Sequence, residues 1–286
     1  MKAACGRIAP QVTPRHSSEH RPSTAQGAAL ERFEKISRNS GVKRDVHDER
    51  WYETAFGRDY LTLYAHRSSA EARAQVVRIL EWGFHGQLLD LGCGAGRHLA
   101  ALEARGVFGV GVDLSRELLA AAPREVRPRL VRADLRRLPF RDASFDGALS
   151  LFSSFGYFDD AGDRRALHEA ARVLRPAGQL LLDLADPGAV RAGLVPRSER
   201  QAGDLALVEE RHLADGGRLV VKQVTVIERS GVRRSWQERL RLYEPQELLS
   251  MAALCGLSVR ARHTTWGASG GSMAAPRQIW VLERES

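Results

Sequence analysis

Residues 88–96 read Leu-Leu-Asp-Leu-Gly-Cys-Gly-Ala-Gly, and the rest of the fold is read outward from that run. Leu88 to Leu91 has the length and apolar character of a buried strand, with Asp90 as its single polar residue. Gly92, Gly94 and Gly96 then permit a sharp backbone turn and leave main chain bare for a ligand to lie against. A helix over 97–105 follows directly, and its first amide N–H groups carry partial positive charge. Strand, glycine turn and helix in this order describe a nucleoside crevice at the carboxyl end of a parallel sheet.

Downstream the pattern alternates. Strands are expected at Val107–Val112, Arg129–Ala133, Phe145–Phe152 and Gln179–Leu184, with helices at 115–122 and 162–174, the latter stopping before Arg175-Pro176. Such alternation means a parallel sheet covered on both faces by helices. Residues 205–213, 218–228 and 232–242 instead read as three strands joined at Asp215-Gly216-Gly217 and Ser230-Gly231, which is hairpin turn chemistry. The α/β pattern resumes with a helix at 245–255 and strands near 257–263 and 278–283. The expected fold is α/β: a Rossmann-like, seven-stranded, doubly wound sheet with an N-terminal helical cap and an antiparallel β insert. The expected organisation is a disordered tail at 1–28, a helical cap at 29–82 with a break near Ser40-Gly41, a core at 83–190 and 244–286, and an insert at 191–243 acting as a substrate lid.

Composition narrows the class. The chain has 286 residues, 43% hydrophobic and 27% charged, with Gly 26 and Pro 11, which is ordinary globular usage and excludes collagen and disulfide miniproteins. No stretch approaches the roughly 20 apolar residues of a membrane span, and the first residues lack a secretory apolar core. Three cysteines, Cys5, Cys93 and Cys255, are too scattered for zinc, so no metal is expected, and a reducing cytoplasm is the expected compartment. The net charge of +8 sits in two places: residues 1–50 carry 10 basic and 6 acidic side chains, and residues 191–243 carry 11 and 7. That excess keeps nucleic acid open as a partner.

Which nucleoside the crevice takes follows from spacing and neighbours. A dinucleotide fold spaces its glycines G-x-G-x-x-G; here the spacing is G-x-G-x-G after Asp90. Asp113 stands 23 residues beyond Asp90 at the end of the second strand, where an acid can accept hydrogen bonds from both ribose hydroxyls. The chain resembles the class I S-adenosylmethionine-dependent methyltransferases, which carry this D-x-G-x-G-x-G signature. The resemblance covers about residues 50–286 and continues through Gly111-Val112-Asp113-Leu114-Ser115, Asp134 with Leu138-Pro139-Phe140, Ser144-Phe145-Asp146, and Arg172 to Gly178. The family usually has Gly where Ala177 stands.

The resemblance implies S-adenosylmethionine as cofactor and gives named positions roles. Asp90, Gly92, Gly94 and Gly96 would border its methionine part, Asp113 its ribose, Leu114, Asp134 and Leu135 its adenine, and Phe152 would supply backbone contacts. Tyr64 and Arg67 lie where related enzymes often carry an Arg facing the cofactor's carboxylate. The stretch Leu151 to Phe158 followed by a meander is similar to small-molecule methyltransferases, including amino-sugar N,N-dimethyltransferases of antibiotic pathways. No Asn/Asp-Pro-Pro-Tyr/Phe motif follows the fourth strand, which speaks against a DNA base substrate. The expected reaction is therefore methyl transfer to N or O of a small-molecule acceptor in natural-product biosynthesis, with an RNA or protein methyltransferase and a non-catalytic cofactor-binding regulator as alternatives. Tyr157 and His212 are the catalytic candidates, and Tyr60, Trp236 and Tyr243 the acceptor-binding ones. His98 is expected to pack rather than act as a base, and Cys93 to be a small filler. A monomer or homodimer is expected.

Overall fold

The apolar run Leu88–Leu91 forms β1 and is buried at every position, as a strand covered on both faces must be. It pairs in parallel with β2 (Gly109–Asp113) on one side and β4 (Phe145–Ser150) on the other. With β3 (Leu130–Arg132), β5 (Leu174–Ala185), β10 (Leu257–His263) and β11 (Arg277–Arg284), the order across the sheet is β10-β11-β5-β4-β1-β2-β3. β11 lies antiparallel between β5 and β10, and the other pairs are parallel. The strand order reverses between β1 and β4, and a crevice opens at such a switch point beyond the carboxyl ends of the strands. This is the expected Rossmann-like, doubly wound arrangement. It comes from a computed structural model that describes residues 50–63, 69–267, 273 and 275–285. The expected tail at 1–28, the cap as far as residue 49, and Tyr64 and Arg67 lie outside the described residues.

Successive residues of β1 feed opposite faces, because strand side chains alternate. Leu89 joins Leu180, Leu182, Ala166 and Leu167 in one apolar cluster, while Leu88 joins Leu181, Ile79 and Leu102 in the other. The helices supply matching stripes. α3 (Ser69–Glu81) buries Ala72, Gln75, Val76 and Ile79, the one-face spacing of an amphipathic helix; each large aliphatic buried this way contributes about 1.5–3 kcal/mol. α6 (Asp160–Val173) begins where the Asp159 carboxylate accepts the Gly162 N–H at 2.7 Å and gives way to extended chain at Leu174, two residues before Pro176.

The remaining helices are α1 (Trp51–Ala55), α2 (Arg58–Leu63), α4 (Arg97–Glu103), α5 (Arg116–Ala120), α7 (Pro187–Gly193) and α8 (Pro245–Leu254). Within the described part of the cap, the chain forms three helices, with a break at Phe56-Gly57. None of the described helices is long and apolar enough to cross a membrane.

A second, antiparallel sheet runs β6 (Arg197–Ala202), β7 (Leu205–Ala214), β8 (Leu219–Glu228) and β9 (Arg233–Arg241). It has four strands where three are expected from the sequence. β6 reads Arg-Ser-Glu-Arg-Gln-Ala, with no apolar alternation, because it is an edge strand and charged side chains suit an edge. α7 was also missing from the sequence-derived elements, although Asp186-Pro187 signals it: the Asp186 carboxylate accepts the Ala189 N–H at 2.8 Å.

Candidate active site

After β1 the chain turns through Gly92 (φ 76°) and Gly94 (φ 55°), backbone that strains any residue with a Cβ by about 1–2 kcal/mol. A Cβ at Gly92 would stand 2.8 Å from the Ser154 side chain, so the loop and the segment after β4 close tightly on one another. A Cβ at Gly94 would meet nothing nearer than Leu118 at 3.8 Å, which leaves that stretch of main chain bare towards the cavity. Gly96 is not on the cavity wall; it precedes α4 and faces Val126, Ala122 and Leu130. A Cβ there would stand 3.1 Å from Val126, so Gly96 lets α4 start close against that side chain.

Asp113, at the end of β2, holds this loop in place. Its Oδ2 accepts the Gly94 N–H and its Oδ1 the Ser115 N–H, both at 2.8 Å. Burial pushes its carboxyl up while those amides pull it down. Ser115 in turn caps α5 by accepting the Leu118 N–H at 3.1 Å, and donates to the Phe56 carbonyl at 2.6 Å. The loop, the ribose candidate and the N-terminal helices thus share one hydrogen-bonded chain.

Asp90 is buried in β1 and its Oδ2 has no hydrogen-bond partner. Burial, opposed by the Arg97 guanidinium and reinforced by Asp113, pushes its carboxyl up to about 7. A buried carboxylate lacking a partner is costly, and an ammonium group presented from the cavity would satisfy it. Next to it, the Arg97 guanidinium pairs with Glu71 at 3.4 Å and stacks over the Phe152 ring at 4.3 Å. His98 is buried with its Nε2 3.0 Å from Gln75 Oε1; burial, with Arg97 beside it, holds its imidazole well below the usual range and hence neutral. Burial likewise pushes the Cys93 thiol up, away from a nucleophilic thiolate.

These groups line one cavity of about 320 Å³. Its first wall is Asp90, Gly92, Gly94, Arg97, Asp113, Leu114, Asp134 and Leu135. The rest of its lining includes the aromatic Tyr52, Phe56, Tyr60, Tyr157 and Phe158, while Phe152 lies on the glycine-loop side under Arg97. Phe56 lies 5.3 Å from Tyr60 and 5.5 Å from Tyr157, and Tyr157 stands edge-on to Trp51 at 5.1 Å. Asp134 differs from expectation in its partner. Both of its oxygens are engaged by Arg136, whose Nη2 also donates to Tyr52 Oη at 3.0 Å, and this pairing draws its carboxyl down against burial. Arg136 also stacks over Phe158 at 4.3 Å.

The segment after β4 is strained where it meets the cavity. Phe152 and Ser153 both hold left-handed backbone (φ 55° and 59°), which costs of order 1–3 kcal/mol per residue and persists only where the surroundings over-determine it. Here the buried Asp183 does so. It accepts the Phe152 N–H at 2.9 Å on its carboxylate and the Ser153 N–H at 2.9 Å on its carbonyl, while Arg277 Nε donates to its Oδ1 at 2.6 Å.

Three expectations change. His212, on β7, is exposed and absent from the cavity walls, because its alternation turns it away from the sheet face carrying Leu207, Val224 and Val226. Trp236 is absent from the cavity walls; it packs against the cluster of Trp51, Tyr52 and Ala55. Tyr243 is core: it is buried, and its Oη donates to Asp163 Oδ2 at 2.7 Å. No described residue of 191–243 lines the cavity. Conversely, Tyr52, Phe56 and Phe158 line it without having been singled out, although aromatics clustered at 51–64 were the available signal.

Comparison with known proteins agrees with this geometry. Residues 88–178 match the family described as a methyltransferase domain. The chain is 37% identical over 100 residues to the demethylmenaquinone methyltransferase of Clavibacter sepedonicus, a match covering 34% of this chain and 40% of that protein. It spans about two-fifths to one half of the length of the first curated relatives it matches. Among solved structures, the CcbJ methyltransferase of Streptomyces caelestis superposes with a TM-score of 0.66 at 19% identity, covering 84% of this chain and 100% of that one. The sugar N-methyltransferase KedS8 of a Streptoalloteichus species does so with 0.57 at 22% identity, covering 98% and 100%. At such identities the structural likeness speaks for the fold. Residues 88–178 are thus a methyltransferase domain, and the chain around them has the fold of the S-adenosylmethionine-dependent methyltransferases.

Proposed function

We propose that this chain is an enzyme transferring a methyl group from S-adenosylmethionine to a nitrogen or oxygen of a small-molecule metabolite made in natural-product biosynthesis. One observation carries the reading: a single cavity joins an acidic glycine-loop wall to an aromatic wall. The unpartnered Asp90 Oδ2 fits an ammonium group, Asp113 fits a pair of ribose hydroxyls, and Leu114 and Leu135 give an apolar bed for a base. These donors and acceptors match S-adenosylmethionine, which when bound supplies a methyl group already activated on a sulfonium.

What remains for the chain is to orient the acceptor and exclude water. Orientation of this kind is worth about 7–11 kcal/mol of barrier. The faces of Phe56, Tyr60 and Tyr157 favour a neighbouring cation by about 0.5–2 kcal/mol. His98 is neutral and engaged with Gln75, so it holds shape more than it moves protons. An acceptor amine that arrives neutral needs no strong base, whereas a hydroxyl needs one within hydrogen-bond reach. Tyr157 Oη is the candidate to orient that acceptor.

The test incubates the purified chain and methyl-labelled S-adenosylmethionine with a panel of small amines and hydroxyl compounds, a peptide and an RNA. Label transferred to a small amine or hydroxyl is expected. Transfer to the RNA or peptide alone would overturn the small-molecule reading, and no transfer to any of them would overturn the enzyme reading.

A further inference from the structure

Two turns at the cavity repeat one device. Asp113-Leu114-Ser115 ends β2, and Asp134-Leu135-Arg136 comes just past β3. In each, the aspartate accepts the N–H two residues on at 2.8 Å, Asp113 Oδ1 that of Ser115 and Asp134 Oδ1 that of Arg136. In each, the third residue then reaches the N-terminal segment. Ser115 Oγ donates to the Phe56 carbonyl at 2.6 Å, and Arg136 Nη2 donates to Tyr52 Oη at 3.0 Å. We propose that the two turns form a paired latch holding helix α1 against the cavity, with Arg136 as the positioning residue that fixes Tyr52 there, and that breaking the latch speeds ligand escape. The second half rests on the proposed cofactor; the first does not.

Helix α1 needs such holding. Its five residues are far below the roughly 12–15 at which a helix stands alone in water, so tertiary contacts set its place. Trp51 supplies packing, edge-on to Tyr157 at 5.1 Å, and a hydrogen bond from a charged donor adds strength and direction. Arg136 is itself pinned. Its Nη2 and Nε meet the two oxygens of Asp134 at 2.6 and 3.0 Å, and its guanidinium lies 4.3 Å from the Phe158 ring centre. Tyr52 stands edge-on to that same ring at 5.1 Å. One side chain therefore joins α1, the turn after β3 and the segment after β4. Tyr52, Phe158, Asp134 and Leu135 all line the cavity, whereas Arg136 is absent from its walls. A ligand there touches the residues that Arg136 holds, and Arg136 acts on it through their positions.

Two substitutions cut the same bond from its two ends. Tyr52→Phe removes only the hydroxyl and keeps the ring's packing. Arg136→Gln removes the charged donor, and Arg136→Lys returns charge without the planar fork. Amide hydrogen exchange of the full chain without ligand reads the latch itself. Exchange over 51–56 should run about tenfold faster in Tyr52→Phe and Arg136→Gln and be partly restored in Arg136→Lys, with β1 and α6 unchanged. Stopped-flow displacement of S-adenosylhomocysteine reads the consequence. Release should be about tenfold faster in both variants, and Tyr52→Phe should add nothing in the Arg136→Gln background. Unchanged exchange over 51–56 in both variants overturns the latch. So does an equal rise throughout the chain, which marks a general loss of stability. Full additivity of the two substitutions overturns their acting as one bond. Faster exchange over 51–56 with unchanged release confines Arg136 to the fold and overturns its part in ligand escape. If the unaltered chain binds no S-adenosylhomocysteine, the cofactor reading falls, while hydrogen exchange still decides the latch.

Discussion

The glycine-loop wall and the four-stranded sheet are held together by different kinds of interaction. The wall is made of main chain: two left-handed glycines, an amide of one of them tied to Asp113, and a strained Phe152-Ser153 pair clamped by Asp183. The sheet is made of side-chain pairings over a regular ladder, with Glu209 taking Arg211 at 2.6 Å and Lys222 at 3.6 Å, and Lys222 also pairing with Glu238. The wall tolerates few residue types at each position because backbone angles are at stake. The sheet tolerates many, because a ladder needs only faces that match. The sheet touches the cavity at second hand, through Trp236, which packs on the cluster of Trp51, Tyr52 and Ala55, and just past β9 through Tyr243, whose Asp163 partner accepts the Phe158 N–H at 3.3 Å. Changes in the wall should therefore appear in cofactor affinity, and changes in the sheet in stability.

The largest effect is expected at Gly92. In Gly92→Val a side chain enters left-handed backbone and meets Ser154 at 2.8 Å. Affinity for S-adenosylhomocysteine should fall more than about 100-fold, from strain and clash together. Calorimetry showing wild-type affinity would remove this loop from the site.

Trp236→Ala should show the opposite signature. Truncating a large, partly buried aromatic costs about 2–4 kcal/mol of stability, read as a lower denaturant midpoint, while S-adenosylhomocysteine affinity stays within about threefold. A large loss of affinity with little loss of stability would put the sheet in the site after all.

The pH dependence of binding should also separate the two regions. Asp90, raised to about 7, is mostly protonated below that pH, and a ligand ammonium favours the carboxylate form. Binding below pH 7 then requires a proton to leave, so affinity for S-adenosylhomocysteine should be full above 7 and fall by up to about tenfold per pH unit below it. In Asp90→Asn that slope should vanish. A slope of the same size in Asp90→Asn would assign it to another group.

The smallest effect concerns Ala177, where the family usually has Gly. Its φ is 60°, so the turn between α6 and the body of β5 carries mild strain. Ala177→Gly should stabilise the chain by about 0.5–1 kcal/mol, visible as a small rise in melting temperature, with no change in nucleoside affinity. A drop in melting temperature would mean that the lost Cβ contacts outweigh the strain.

Legibility in the sequence followed the same division. β1, the glycine turn and Asp113 could be read because apolar runs and glycines report backbone demands locally. The second sheet was partly readable, since Asp215-Gly216-Gly217 and Ser230-Gly231 mark its turns, yet β6 carries no apolar pattern and was missed. The aromatic wall was half readable: Tyr60 and Tyr157 stood out, but which residues of a helix or strand face a cavity depends on packing between distant segments. Tyr243 illustrates the limit. It is expected beside Trp236 as an acceptor-binding residue, whereas a buried carboxylate 80 positions away claims its hydroxyl.

Asp113 offers the most direct test of the central claim, that the crevice beyond β1 and β2 holds the cofactor's nucleoside. S-adenosylhomocysteine is titrated calorimetrically into the full chain and into Asp113→Ala, with Asp113→Asn as the shape-preserving control. Each charge-assisted hydrogen bond to a ribose hydroxyl is worth about 1.5–3 kcal/mol before water recovers part of it. The account predicts binding to the unaltered chain and affinity about 10- to 1,000-fold weaker in Asp113→Ala. Equal affinities in the two proteins would contradict it.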